Sequence, residues 1–136
     1  MRQATTEFHE SAPALPESVG ELRGAVAEFA RAHGAGDDVV MAVQLAASEA
    51  MSNAVVHAFV DRPAPGTLSL SAGREGDEIW VVVRDDGSGM KPRPDSPGLG
   101  VGLPLMTRST QSLKFSERPD GGTEVAMRFA LGAAGA

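Results

Sequence analysis

Two residues one helical turn apart open the chemical reading of this chain. Glu49 and Asn53 sit in the stretch Ser48-Glu-Ala-Met-Ser-Asn53, inside a run from Asp37 to Ala58 with no Gly or Pro. Four residues apart on a helix, their side chains project side by side. A carboxamide oxygen is a neutral, hard ligand of the kind Mg²⁺ takes, with phosphates and waters completing its octahedron. A carboxylate beside it can orient or deprotonate an incoming hydroxyl. Two glycine-rich segments follow, Asp85-Asp-Gly87-Ser-Gly89 after a β-branched run and Gly98-Leu-Gly100-Val-Gly102 after a proline-rich loop, and Gly122-Thr123 opens a last strand. An aspartate at a strand end can accept a hydrogen bond from an exocyclic amine such as that of adenine, and glycines beside it let the backbone pass close to a flat base. A glycine loop leading into a helix presents free N–H groups toward an anion. The combination suits a magnesium-bound nucleotide.

Each segment also has a plainer reading. Amphipathic helices keep a solvated polar face, Asp-Gly is ordinary turn material, and Lys91–Pro97, with three prolines in seven residues, reads as a linker or as a cationic cover. The glycine spacing is not that of the dinucleotide fingerprint, and no Gly-Lys-Ser/Thr of a P-loop is present. His57 continues the polar column of the helix but needs no chemistry, and Trp80, in a strand pattern, reads as a packing residue.

The elements that must position these residues are legible from periodicity. A short strand is expected around Thr5–His9. Apolar Val19, Leu22, Val26 and Phe29 recur at helical spacing, with Ser18 as N-cap and an end near Gly34 and Gly36. Asp37 or Asp38 caps the next helix. On its wheel Val40, Val43, Ala47, Ala50, Met51, Ala54 and Ala58 share one side. Gln44, Ser48, Glu49, Ser52, Asn53 and His57 share the other, interrupted by Leu45 and Val56. Thr67–Ala72 and Ile79–Arg84 read as strands around a loop at Gly73–Asp77, a helix is expected near Leu103, and Ser112–Glu117 and Thr123–Leu131 form a second hairpin. The expected fold is an α+β two-layer sandwich, a mixed, mostly antiparallel sheet with helices on one face. Its expected organisation is an N-terminal segment 1–17 with an edge strand, a single domain over 18–131, and a flexible tail 132–136.

Bulk properties narrow the field. The 136 residues suit one domain, and 42% hydrophobic content with only 4% aromatic implies a core of Val, Leu, Ala and Met. A formal net charge of −6 argues against direct nucleic-acid binding. Cysteine is absent, which excludes disulfides and thiolate chemistry. No apolar run reaches the roughly 18 residues of a membrane span, and the polar start is unlike a secretory signal; a cytoplasmic protein with no membrane contact is expected.

In order and spacing the four segments resemble the Bergerat-fold, or GHKL, ATPases and kinases, a superfamily that includes gyrase, Hsp90, sensor histidine kinases and MutL. Glu49-x-x-x-Asn53 matches its N box, Asp85-x-Gly87-x-Gly89 its first glycine box, Gly98–Leu103 its second, and Gly122-Thr123 its closing Gly-Thr. The likeness covers residues 18–130. Within the superfamily, Ser48-Glu-Ala-Met-Ser-Asn-Ala-Val-Val-His57-Ala and Asp85-Asp-Gly-Ser-Gly-Met90 are similar to the small bacterial anti-sigma factor serine kinases, the SpoIIAB and RsbW type. The resemblance implies ATP and Mg²⁺ as cofactors, Glu49 as catalytic base, and Asn53 as the metal ligand. It implies that Asp85 reads adenine with support from Thr123. Gly87, Gly89, Met90, Gly98 and Leu103 would complete the nucleotide site, and the amides of Gly100, Val101 and Gly102 would hold phosphates.

The implied function is phosphorylation of a serine or threonine on an anti-sigma factor antagonist while a sigma factor is sequestered. The alternative is a silent ATP/ADP-binding module acting through protein contacts. Arg23 on the first helix matches an arginine at the partner surface of the group, and the resemblance allows a homodimer. Pro104 departs from the pattern, falling where the group continues into helix, although a first turn tolerates proline. A two-component histidine kinase reading needs a phospho-accepting histidine on a helical hairpin, and His9 is followed by Pro13 and Pro16.

Overall fold

The structure, a computed structural model, describes residues 7–58, 66–86, 112–117 and 122–131. Strand β1 (Glu7–Pro13) leads into helices α1 (Pro16–Ala32) and α2 (Asp37–Ala58), and strands β2 (Thr67–Glu75), β3 (Glu78–Asp85), β4 (Ser112–Glu117) and β5 (Thr123–Ala130) follow. The strands form one sheet in the order β1-β2-β3-β5-β4, and every described pairing is antiparallel rather than mixed. Both helices belong to one layer: α2 packs on β2, β3 and β5, and α1 packs on α2, β1 and β2.

Side-chain alternation explains the two layers. On β3 the inward residues Ile79, Val81 and Val83 are buried, and on β5 Val125, Met127 and Phe129 are buried, while their neighbours face the open side half-exposed. Fully burying a side chain of this kind contributes about 1.5–3 kcal/mol. Alanines 46, 47, 50 and 54 of α2 have little or no exposure, so the helix backbone lies close to the sheet. On the open face, Arg128 bridges Glu78 at 2.9 Å and Glu75 at 3.0 Å. The hydrogen bond to Glu78, then that to Glu75, holds its pKa above the usual arginine value.

Local chemistry sets the element ends. Helix α1 begins at Pro16 rather than at a Ser18 cap: proline suits a first turn because it has no N–H to leave unpaired, and Ser18 lies inside the helix, 4% exposed. The helix stops in a Schellman arrangement, with the Ala35 N–H donating to the Ala30 carbonyl at 3.0 Å, the Gly34 N–H to that of Arg31 at 3.2 Å, and Gly34 at φ 102°. Arg74 of β2 donates to the His33 carbonyl at 2.7 Å and ties that end to the sheet. The first bond of α2 runs from the Val40 N–H to the Gly36 carbonyl at 2.9 Å, so Asp37 and Asp38 occupy the first turn and face the positive helix end.

One expectation on membrane spans needs correction. Asp37–Val56 of α2 is 20 residues long with mean hydropathy 1.4, enough by length and composition to cross a bilayer. Most of its apolar residues are explained otherwise: one face of α2 is the core of the sandwich, while Met41, Leu45 and Val56 stand outside it.

Candidate functional site

The polar residues buried among the described ones are only four: Ser18, Asn53, Asp85 and Thr123. Three of them, Asn53, Asp85 and Thr123, are candidate site residues read from the sequence. Burying a polar side chain costs free energy unless a partner is supplied, and of these four it is Asn53 whose amide nitrogen finds none among the described residues.

Asn53 does not lie on a solvated helix face. At 100° per residue it stands only about 20° from Ala46 on the helix wheel, and Ala46 is 0% exposed. Asn53 itself is 5% exposed, on the margin of α2 that turns into the sandwich, while Glu49 one turn earlier is half-buried and Ser52 is exposed. The Asn53 Nδ2 is enclosed and has no hydrogen-bond partner among the described residues. The Ser48 Oγ is also enclosed and without a partner among the described residues, a feature that a helical wheel does not separate from its polar neighbours.

Asp85 and Thr123 meet as direct cross-strand partners of β3 and β5. Strand parity turns both inward: Asp85 continues the buried series Ile79, Val81, Val83, and Thr123 begins the series Val125, Met127, Phe129. Their exposures are 4% and 2%. Asp86 has a different task. Its carboxylate accepts the Thr67 N–H at 2.6 Å, closing the end of β2. Adjacent aspartates are thus divided by alternation into one inward and one tied to the neighbouring strand. Gly122 is required by space, because a Cβ there would run into the Asp85 backbone carbonyl. The Gly-Thr pair therefore combines a close backbone crossing with an inward hydroxyl.

Gly87, Gly89, Met90, Gly98, Gly100, Val101, Gly102 and Leu103 lie outside the described residues, as do Pro104 and the helix expected near Leu103. Among the described residues no group of three or more His, Asp or Glu side chains could cage a metal. Mg²⁺ takes hard oxygens, few of them from protein and the rest from substrate phosphates and water, and the amide oxygen of Asn53 is a hard oxygen of that kind. Asn53 fits such a group on both of its atoms: the buried Nδ2 needs an acceptor, and the Oδ1 is a hard oxygen.

The model of the histidine kinase-like ATPase domain matches residues 12–129. The chain belongs to the histidine kinase-like ATPase family. It is similar to the sensor histidine kinase PdtaS of Mycolicibacterium smegmatis, 32% identical over 101 residues, which cover 70% of this chain but 20% of that protein. It is similar to the anti-sigma F factor of Clostridium acetobutylicum, 32% identical over 108 residues, covering 70% of this chain and 71% of that one. The serine-protein kinase RsbW of Bacillus licheniformis is 32% identical over 108 residues, covering 79% and 66%. The chain thus spans about two thirds or more of the anti-sigma F factor and of the serine-protein kinase, and a fifth of the sensor kinase. Among solved structures, that of the RsbU and RsbW domains of Rv1364c from Mycobacterium tuberculosis covers 96% of this chain and 34% of that one, with TM-score 0.73 at 21% identity. That likeness carries the histidine kinase-like ATPase fold, α+β with helices on one sheet face.

Proposed function

We propose that this protein binds Mg·ATP and transfers a phosphoryl group to a serine or threonine of an anti-sigma factor antagonist, while holding a sigma factor by protein contact in the cytoplasm. The carrying observation is the enclosed, unpartnered amide of Asn53, one helical turn from a half-buried Glu49. Similarity to proteins named as an anti-sigma F factor and a serine-protein kinase supports the substrate class.

Mg·ATP, when bound, supplies the transferable phosphoryl group and a cation that offsets its charge. The chain's own residues do the rest. Asn53 would hold the cation through its amide oxygen and offer its unpartnered N–H group to the bound nucleotide. Asp85, buried beside Thr123, accepts from the exocyclic amine of the purine. Gly87, Gly89, Met90, Gly98, Gly100, Val101, Gly102 and Leu103 complete the nucleotide site. Glu49, open enough to meet a second protein, takes the proton of the acceptor hydroxyl; such general bases contribute roughly 10²–10⁴-fold.

The test uses the purified chain, Mg·ATP labelled on the terminal phosphate, and purified antagonists. Glu49→Ala is expected to keep ATP affinity and lose transfer by at least ~100-fold. Normal transfer by the alanine variant would remove Glu49 from its role. Antagonist binding without labelled product in the parent chain would replace the kinase by a silent nucleotide-binding regulator.

A further inference from the structure

Three large apolar side chains stand exposed among the described residues, and all three are on α2: Met41 at 63%, Leu45 at 43% and Val56 at 56%. Helix geometry puts them in one line. At 100° per residue Leu45 lies 40° from Met41 and Val56 a further 20° round, so the three fall within about 60° and span roughly 22 Å of helix. Exposed Ser52 fills the gap in this line. The core face of α2 is already supplied by Val40, Val43, Ala47, Ala50 and Met51 on the other side. Nothing in the described packing uses the stripe, although covering large apolar side chains is favourable by about 25 cal/mol per Å².

Glu49 borders this line. It is one turn beyond Leu45, and on the wheel it stands about 20° from Val56. Asp38, exposed, occupies the N-terminal end of the same line. The surface therefore reads, along the helix, as a carboxylate, two apolar residues, the half-buried Glu49, a serine and a third apolar residue.

Resting on the kinase reading above, we propose that this stripe is the docking surface for the protein substrate. A segment of the antagonist with apolar side chains on either side of its acceptor hydroxyl lies along Met41, Leu45 and Val56, with a basic residue toward Asp38, and so brings the hydroxyl to Glu49. Area selects this occupant over a second copy of the chain. The three side chains offer a patch of at most a few hundred Å², well under the roughly 800 Å² per partner of a stable interface. That scale suits a substrate that must leave after each turnover. Charge agrees: the acidic end of the stripe and the net charge of −6 favour a partner carrying cations there.

The experiment compares the full chain with Leu45→Glu, the double variant Met41→Glu/Val56→Glu, and the conservative Leu45→Met. Circular dichroism and Mg·ATP calorimetry are expected to match the parent, since the stripe is outside both core and nucleotide site. In transfer to a purified antagonist, the glutamate variants are expected to raise KM at least ~10-fold with kcat within about twofold, and Leu45→Met to restore the parent KM; each tenfold corresponds to 1.4 kcal/mol. Binding of the antagonist to Glu49→Ala, which keeps the stripe, is expected to persist and to be lost when Leu45→Glu is added. An unchanged KM in both glutamate variants overturns the proposal. So does a loss of nucleotide affinity, or sedimentation showing that Leu45→Glu splits a dimer while transfer is untouched, or an antagonist panel that fails to bind the parent chain. Binding abolished by Leu45→Glu in a chain that never transfers phosphate would refute the kinase reading and leave the docking surface standing.

Discussion

Replacing Asn53 by leucine should make the protein more stable and useless for nucleotide binding at the same time. Asn53 is 5% exposed and its Nδ2 has no partner among the described residues. An enclosed donor left unsatisfied costs about 1–3 kcal/mol, whereas an apolar group of similar shape carries no such cost. Allowing for imperfect packing of leucine, Asn53→Leu is expected to raise the stability of the nucleotide-free protein by about 1–2 kcal/mol. For a chain of this size, each kcal/mol moves Tm by about 3–6 °C, so the rise should be several degrees. Mg·ATP at a hundred times its Kd adds about 2.7 kcal/mol to any form that binds it. The parent chain should therefore gain roughly 8–16 °C on adding Mg·ATP, and the leucine variant nothing. The two melting curves, followed by circular dichroism, should exchange order when nucleotide is added. A variant that melts below the parent without nucleotide, or that keeps the full ligand shift, would refute the assignment of the unpaired amide to a bound group.

Three further outcomes follow from the packing. Gly122→Ala drives a methyl into the backbone carbonyl of Asp85; a backbone atom cannot rotate away, so urea denaturation should show a loss of about 2–3 kcal/mol or more, with nucleotide binding weakened alongside. Gly73→Ala places its Cβ 2.5 Å from the Trp80 ring, which can swing off the sheet; a smaller loss of about 1 kcal/mol should accompany a shift of tryptophan emission toward longer wavelength, and an unshifted spectrum would show that the ring had not moved. Arg74→Ala removes the 2.7 Å bond to the His33 carbonyl at the end of α1; about 1–2 kcal/mol should be lost in urea melts, with Mg·ATP affinity unchanged.

Much of the sandwich could be read from the chain because its signals are local. The β-branched run at Ile79–Val83, the Gly-Gly pair in the sequence before Thr123 and the gap at Gly34–Gly36 each carry their own structural preference. Where the reading fell short, a contact distant in sequence decided the matter. Gly73 looks like turn material, yet β2 continues through it to Glu75, and the true turn is Gly76-Asp77 with Gly76 at φ 60°. Glycine is needed at 73 because the indole of Trp80, its cross-strand partner, occupies the space a side chain would fill. Strand β1 runs on to Pro13 rather than ending at His9, since an edge strand turns only Phe8 and Ala12 toward the core and so has a faint apolar pattern. Its pairing with β2, more than fifty residues later, was not visible locally.

The candidate site divides in the same way. Glu49, Asn53, Asp85 and Thr123 announced themselves by residue type and spacing. That Asn53 belongs to the buried margin of α2 was hidden, because a helical wheel gives directions but not the breadth of what covers them. Ala46 supplied the missing signal: counted among the apolar residues, it extends the covered arc to within about 20° of Asn53. The division of labour between Asp85 and Asp86 likewise follows from strand parity, which fixes alternate directions but needs the register with Thr67 and Thr123 to say which direction is inward.

Asn53 and Asp85 are proposed to serve a bound magnesium–adenine nucleotide. Isothermal calorimetry of the purified chain with ATP and ADP, each with and without Mg²⁺, tests it most directly. A saturable one-to-one heat is predicted with Mg·ATP, weakened when magnesium is withheld and lost in Asn53→Leu. No heat from either nucleotide at millimolar concentration, with or without the metal, would contradict it.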